Sequence, residues 1–369
     1  AIRSRGLGDV YKRQGINKNI YSEVYNISFL DPYATKDGVS LGYNLYFRET
    51  DYGEFNVANY LTNSNGLGVQ FGYPISDITR LNFNLTYDKT DIDIGTLPAR
   101  EIYDFVAAEG NVFETLSLGF TWQRVTLNRG LFPTDGSSTS FTLTSTIPGS
   151  DINYYRANIR QRFYQPLSSQ LVFGFQGELG YLDAYGETDE TPFFQNFYAG
   201  GPRSLRGFES NTLGPRSTNA PCYEFNYDDG TCPNLIDTDG DGELDSPYYN
   251  PYATTNEYSS RSRYRDPPIG GNIKIEGSLQ LIFRLPFIED QRSLRSAFFF
   301  DFGNVFSDNC KEYQFNCYKP SIDDLRYSYG VGVTWITGFG PMSLAIAKPT
   351  NAGPQERTEE FQFTVGNVF

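Results

Sequence analysis

The chain has 369 residues, 16% of them aromatic, and a mean hydropathy of −0.46, so apolar rings are mixed with polar residues throughout. No stretch approaches the roughly 18 consecutive apolar residues of a membrane-spanning helix, so a bilayer could be crossed only by a closed β-barrel. The formal net charge of −14, without clustered Lys and Arg, argues against a nucleic-acid partner.

Residues 1–14 differ from the rest of the chain. Arg3, Arg5, Lys12 and Arg13 crowd into this stretch without strand alternation, although the whole chain is acidic. We therefore expect 1–14 to be foreign to the fold, as an expression or sequencing artefact would be. No signal peptide is recognisable, so we also expect the chain to be a fragment, with 15–369 forming a single domain.

From Ile20 onward, apolar and polar side chains alternate with a period of two, which is typical of strands with one apolar face. In one segment Leu81, Phe83, Leu85 and Tyr87 alternate with Asn82, Asn84, Thr86 and Asp88. In 152–166, Arg156, Arg160 and Arg162 share a face. Those arginines cannot face lipid at midplane depth, where each would cost about 2–4 kcal/mol.

The alternation predicts an all-β fold of about thirteen strands. They lie near 20–31, 38–49, 66–74, 78–90, 112–127, 137–147, 152–166, 169–184, 271–287, 293–306, 325–338, 339–349 and 359–369. A soluble β-sandwich would alternate in the same way, with its apolar face as an interior core.

The connections between these strands favour an antiparallel transmembrane barrel over a sandwich. Such barrels have short periplasmic turns and long external loops. The short connections include 74–77, 165–168 and 338–341, and the long ones are 50–65, 91–111, 185–270 and 307–324. The short connection 148–151 is an exception, because it should be external.

The four cysteines form two close pairs in polar segments, Cys222 with Cys232 and Cys310 with Cys317. We predict two local disulfides, which indicate an oxidising periplasm or cell surface. A metal site is the alternative, but neither pair has CxxC spacing and the chain contains no His.

The long loop 185–270 also carries an acidic pattern that resembles a calcium loop. Asp237, Asp239, Asp241 and Asp245 stand at the first, third, fifth and ninth positions of EF-hand spacing, with Gly242 at the sixth, and Glu243 is a further candidate ligand. Tyr248 stands where the bidentate Glu belongs, so the pattern is more similar to thrombospondin-type repeats. A weak Ca²⁺ site and a solvated acidic loop both fit.

Three segments carry a family resemblance: FYAGGPRSLRGFESNTLGP at 197–215, FFDFGN at 299–304, and the ending from YGVG at 329–332 through GPM at 340–342 to Phe369. Together they resemble the barrel of BamA-type outer-membrane protein insertases, the β-barrel assembly machinery superfamily. Further matches at 130–136 and 147–151 extend the resemblance over nearly all of 15–369.

The resemblance implies that 185–270 is the sixth external loop, which folds back into the barrel. Its motif is Gly200, Gly201, Arg206, Gly207 and Phe208. An arginine inside a barrel needs a carboxylate partner, and Asp301, on the polar face of its strand, is the best candidate for a bidentate pair. The family has a glutamate where this chain has Gln280, and Glu276 could compensate. A solvated loop arginine and an ordinary polar lumen aspartate are the alternatives.

The resemblance also covers the C-terminal strand and the extent of the barrel. Phe361, Phe363, Gly366 and Phe369 are similar to the signal by which outer-membrane barrels are recognised. Gly15 aligns late in the third strand of a family barrel of about 16 strands, so about three N-terminal strands and the POTRA domains are expected to be absent.

The sequence contains no recognisable combination of a catalytic nucleophile with a general base. It therefore does not predict an enzyme or a required cofactor. The resemblance implies an outer-membrane assembly factor that folds and inserts other outer-membrane proteins by templating strand addition at a lateral seam. Its implied partners are unfolded outer-membrane proteins, accessory lipoproteins, the lipid bilayer and lipopolysaccharide. A passive porin is the alternative from another class, and a secretion or translocation pore is the alternative within the superfamily.

Overall fold

The structure is a computed structural model that describes residues 11–18, 22–53, 57–58, 60–94, 98–218, 267–285, 288, 293–311, 314, 317–338, 340–353 and 356–366. All structural statements concern those residues. Within them, no helix has both the length and the apolar character to cross a membrane.

Fourteen antiparallel strands form one sheet, in the order β1 to β9, β11 to β14 and β16. Their bounds are β1 Tyr11–Lys18, β2 Ser22–Asp31, β3 Ser40–Asp51, β4 Leu61–Ser76, β5 Thr79–Asp93, β6 Val112–Val125, β7 Gly136–Thr146, β8 Tyr154–Pro166, β9 Leu171–Ala184, β11 Ile273–Phe283, β12 Leu294–Phe306, β13 Arg326–Thr337, β14 Gly340–Pro349 and β16 Phe361–Val365. Two short strands, β10 (Gly207–Phe208) and β15 (Thr358–Glu359), pair with each other. One helix, α1, spans Arg100–Glu109.

Three features differ from the sequence predictions. The expectation that 1–14 lies outside the fold is wrong for 11–14, because β1 begins at Tyr11 and pairs with β2. Backbone hydrogen bonds do not require alternating side chains, so composition did not reveal this strand. The predicted loop 91–111 contains α1. The predicted strand 359–369 begins later, at Phe361, because Thr358 and Glu359 pair with β10 instead.

The outer face of the sheet is apolar and exposed, whereas the inner face is polar. On β5, Phe83, Leu85 and Tyr87 are 47%, 40% and 43% exposed. Between them, Asn84 and Thr86 are partly buried. A soluble sandwich would bury its apolar face, so this arrangement excludes the sandwich and fits a surface in contact with lipid.

The described parts of the connection between β9 and β11, 185–218 and 267–272, lie inside the curve of the sheet. The hydroxyls of Tyr60 and Tyr198 are 3.4 Å apart, and the Arg156 guanidinium of β8 lies 4.2 Å from the ring centre of Phe197. On the opposite side, Leu213 packs in the same apolar cluster as Val305 of β12. Because one segment touches strands from both halves of the sheet, the sheet curves around it.

The inward and outward faces should differ sharply in their tolerance of charge. Leu85 lies near the middle of β5 and faces outward, whereas the adjacent Thr86 lines an interior cavity of about 500 Å³. We expect Leu85→Arg to lower the free energy of unfolding in phospholipid vesicles by about 2–4 kcal/mol, and Thr86→Arg to cost much less. Guanidinium unfolding in vesicles measures both. Equal losses would contradict the assignment of faces.

Candidate functional site

The candidate site is the loop tip, residues 206–208, and the wall that it contacts. Two glycines set the entry to this tip, with φ of +103° at Gly200 and +100° at Gly201. A Cβ at Gly200 would lie 2.6 Å from the Glu209 carbonyl oxygen, and one at Gly201 would lie 2.5 Å from Ser210 Oγ. Only glycine combines this backbone conformation with this close approach.

Arg206 forms a bidentate ion pair with Asp301 on β12. Its Nε lies 2.7 Å from Oδ2 and its Nη2 lies 2.7 Å from Oδ1, while its backbone N–H donates to Oδ2 at 3.2 Å. Arg206 is 5% exposed and Asp301 is fully buried. The structure therefore brings together the two residues that the resemblance paired, in the fork geometry that makes Arg–carboxylate bonds strong.

Further contacts of the guanidinium come from β11 and β12. Nη2 donates to Ser278 Oγ at 3.0 Å, and the Arg206 Cζ lies 3.4 Å from the ring centre of Phe299. Gln280 Nε2 donates to the same Ser278 Oγ at 3.3 Å. Ser278 was not among the predicted residues, because nothing local distinguishes it from other wall residues, whereas Phe299 begins the FFDFGN segment but had been given no role.

Glu276 does not take the role expected of it. Its carboxylate accepts a hydrogen bond from Ser204 Oγ and forms an ion pair with Lys274 Nζ at 3.0 Å. Glu276 therefore holds the segment that leads to the tip. These contacts do not include a direct bond to Arg206 that would compensate for Gln280. The neighbouring Lys274 supplies its counter-charge, which the sequence prediction overlooked.

The other two tip residues contact the C-terminal end of the sheet. Gly207 and Phe208 form β10, which pairs with Thr358 and Glu359 of β15. Phe208 is fully buried. Gly207 has φ of +90°, and a Cβ there would lie 3.2 Å from Ala347 Cβ.

A second buried ion pair lies behind β15 and was not predicted. Arg326 Nε of β13 donates to Glu356 Oε1 at 2.8 Å and to Oε2 at 2.6 Å. The Arg326 side chain is 8% exposed and that of Glu356 is 1% exposed. Glu356 also accepts the Gly353 N–H at 2.6 Å, so this pair fixes the connection between β14 and β16.

On the outer side, α1 holds the segment of the long loop that follows the tip. Glu101 accepts hydrogen bonds from Thr218 N at 2.9 Å and Thr218 Oγ1 at 2.6 Å, and Arg100 N donates to Thr218 O at 2.8 Å. Burial raises the pKa of the Glu101 carboxyl above its ordinary range, although the hydrogen bonds from Thr218 oppose the shift.

The remaining predicted residues have different outcomes. Cys310 and Cys317 form the predicted disulfide, and Gln314 between them donates to Arg216 O at 2.9 Å. Phe361 and Phe363 face outward, and Gly366 N donates to Pro341 O at 2.7 Å. Outside the described residues lie Cys222, Cys232, Phe369 and the calcium-loop carboxylates Asp237, Asp239, Asp241, Glu243 and Asp245.

Comparison with known proteins agrees with this arrangement. The sequence model of the Omp85 superfamily domain matches residues 6–369. The chain is 31% identical to the outer membrane protein assembly factor BamA of Neisseria meningitidis serogroup B, over 93% of this chain and 41% of that protein. It is also 26% identical to a SAM50-like protein of Drosophila melanogaster, over 47% of this chain and 39% of that protein.

Solved structures give the same grouping. The structure of BamA from Haemophilus ducreyi lacking POTRA domains 1–3 superposes with a TM-score of 0.78 at 28% identity, covering 98% of this chain and 64% of that one. CdiB from Escherichia coli has a TM-score of 0.50 at 9% identity, covering 93% of this chain and 52% of that one, which is a likeness of fold alone. The chain therefore spans less than half of its curated BamA relative.

Gly207 offers a test of how closely the tip packs. We expect Gly207→Ala to lower the free energy of unfolding through both its positive φ and the contact with Ala347, at about 1–3 kcal/mol for the backbone strain alone. Gly149→Ala is the matched control, because φ there is +99° and nothing lies within 4 Å of the added Cβ. Denaturant unfolding in detergent compares the two variants. Equal losses would show that the tip does not pack tightly.

Glu101 predicts a pH dependence of α1. Its folded-state pKa is raised, so its contribution to stability is fully present below the unfolded pKa of about 4.3 and is lost as pH rises through the folded value. Hydrogen exchange of α1 amides, corrected for intrinsic rates, should therefore show a free energy of opening that falls with rising pH. Glu101→Gln should remove this dependence. An opening free energy that rises with pH in the wild type would contradict the prediction.

Proposed function

The chain belongs to the Omp85 superfamily and is an outer-membrane β-barrel protein, and on this premise we propose that it is the barrel part of an assembly factor for other outer-membrane proteins. The Neisseria relative, whose match covers 93% of this chain, is named as such a factor. The match groups the chain with an assembly factor rather than with an enzyme.

The observation that carries this proposal is the docking of the Arg206 tip on the inner wall. A passive porin needs an open, water-filled interior. Here a loop occupies the interior, and Arg206, Phe208 and Asp301 are 5%, 0% and 0% exposed. A loop that is hydrogen-bonded to the inner wall occupies part of the interior. This favours a protein that acts at its strands or at the edge of its sheet.

We propose that the protein acts at the edge of the sheet. β16 pairs with β14 on one side, and no second partner of β16 is found among the described strands. A strand edge offers backbone N–H and C=O groups that an incoming strand can pair with by β-augmentation. We infer that unfolded outer-membrane proteins are the substrates and are templated at such an edge, without covalent chemistry.

The proposed surroundings follow from the same reasoning. Exposed apolar side chains such as Phe361 and Phe363 on the outer face would contact the bilayer, and the external loops would lie near lipopolysaccharide. Accessory lipoproteins are further proposed partners, as parts of the assembly machinery. A secretion or translocation pore of the same superfamily is the competing function that the experiment below must separate.

The test is complementation. Cells depleted of their own assembly factor receive the full-length gene product that contains this barrel, and assembly of other barrels is followed. We expect the wild type to rescue growth, and Arg206→Ala and Asp301→Asn to lower the yield of assembled barrels, because either change leaves a buried charge without its partner.

Arg160→Ala is the matched control. Arg160 also forms an interior ion pair, with Glu178 at 3.1 Å, but its side chain is 64% exposed and the pair does not involve the tip. It should rescue like the wild type. If the wild type folds in the outer membrane and still rescues nothing, the assembly proposal is wrong, and conductance measurements would test the pore.

A further inference from the structure

Gln362 is a buried polar residue on the last strand of the sheet. Its neighbours Phe361 and Phe363 are 61% and 50% exposed on the outer face, whereas Gln362 is 1% exposed. Because successive side chains of a strand point to opposite faces, the amide of Gln362 points into the interior. It therefore lies on the same side of the sheet as the loop tip.

Both ends of this amide bind consecutive backbone groups of the tip. Gly207 N donates to Gln362 Oε1 at 3.3 Å, and Gln362 Nε2 donates to Phe208 O at 2.8 Å. The side chain thus supplies one acceptor and one donor to the tip, as a neighbouring strand would. A buried backbone group left without a partner costs about 1–3 kcal/mol, so the match is specific to an amide.

The opposite side of the tip is attached to different strands. Arg206 binds Asp301 of β12 and Ser278 of β11. In the sheet, β13 and β14 separate β12 from β16. The tip therefore bridges two parts of the wall that are not neighbours, with Arg206 at one end and the contacts of Gly207 and Phe208 at the other.

Other contacts strengthen the bridge on the β16 side. Glu209 N donates to Arg357 O at 3.0 Å, and the two side chains form an ion pair at 3.4 Å. The pair of Arg326 with Glu356 anchors the same connection to β13. The segment that leads into β16 is thus held on two sides, by the tip and by β13.

The ladder of β16 is short, which gives these contacts more weight. Its pairing with β14 runs from Ile346↔Phe361 to Met342↔Val365 and is the shortest ladder of the large sheet within the described residues. A strand with few ladder bonds opens at low free energy unless other contacts hold it.

We propose that Gln362 is a positioning residue that couples the seating of the loop tip on Asp301 to the position of the edge strand β16. This inference deepens the proposed function and rests on it, because it names the side chain through which the interior loop controls the edge where strands are added. Release of the tip loosens β16 through Gln362, and loosening of β16 weakens the tip by the same factor.

The experiment is a double-mutant cycle read by hydrogen exchange on the purified full-length gene product that contains this barrel, in lipid nanodiscs. Asp301→Asn releases the tip, and exchange is followed in a peptide covering 358–365. We expect Asp301→Asn to speed exchange there about tenfold when Gln362 is present, and about threefold or less in the Gln362→Met background, where, among the described residues, only the pairing of β10 with β15 and the contacts of Glu209 with Arg357 still join the tip to this segment.

Asn84→Leu is the matched control background. Asn84 is a partly buried interior amide on β5, which four or more strands separate from β11, β12 and β16 in the sheet. There the full tenfold effect of Asp301→Asn should persist. Gln362→Glu is a second variant for the case that Gln362→Met folds poorly, since it keeps the shape but cannot donate to Phe208 O. It should decouple the two sites in the same way.

Two results would overturn the inference. One is an equal effect of Asp301→Asn in all backgrounds, which would mean that β16 loosens without Gln362. The other is no effect in any background, which would mean that tip and strand are independent. Because exchange is measured without substrate, failed complementation with intact coupling would reject only the assembly function.

Discussion

Hydrocarbon offers no hydrogen bonds, so every peptide group within a bilayer needs a partner inside the protein and every charge must avoid the lipid face. The large antiparallel sheet satisfies the first requirement through its ladders, except along the outer edges of β1 and β16, which have no second partner among the described strands. The second directs many charged side chains of the strands inward, such as Glu178 and Lys274, whereas the exposed pair of Lys89 with Glu114 stays on the outer face. Charges that water would otherwise solvate are thereby concentrated in the interior, where each needs a counter-charge.

The interior loop is arranged by this need for counter-charges. Arg206 pairs with Asp301, Lys274 with Glu276, and Arg326 with Glu356. A buried ion pair contributes little more to stability than a well-packed apolar pair, whereas removal of one partner is costly. We therefore interpret the ion pair of Arg206 with Asp301 as fixing the position of the tip. The pair can form at one place on the wall, and a displaced tip would leave both charges without their partner.

The sequence predicted what depends on local pattern and missed what depends on register. Period-two alternation located every strand of the large sheet except β1, whose polar residues do not alternate. The partnership of Arg206 with Asp301 was inferred from a family motif, because no local rule joins residues so far apart in the chain. Glu356 lies in a connection rather than in an alternating strand, so nothing in the sequence marked it as the partner of Arg326. The pairing of β10 with β15 was also not predicted, because strands of two residues carry no periodic signal.

The distribution of contacts around the tip relates stability to function. Within the described residues, most ladders of the large sheet are longer than that of β16, so their strands gain most of their stability from their own neighbours. β16 combines a short ladder with buried contacts to the tip, so its free energy of opening depends on a loop that is distant in sequence. A strand that must accept new partners cannot be held as firmly as the rest of the wall, and a strand in a bilayer cannot be left unpaired. Contacts with a separate interior loop meet both conditions. They stabilise β16 without occupying the backbone groups on its side away from β14.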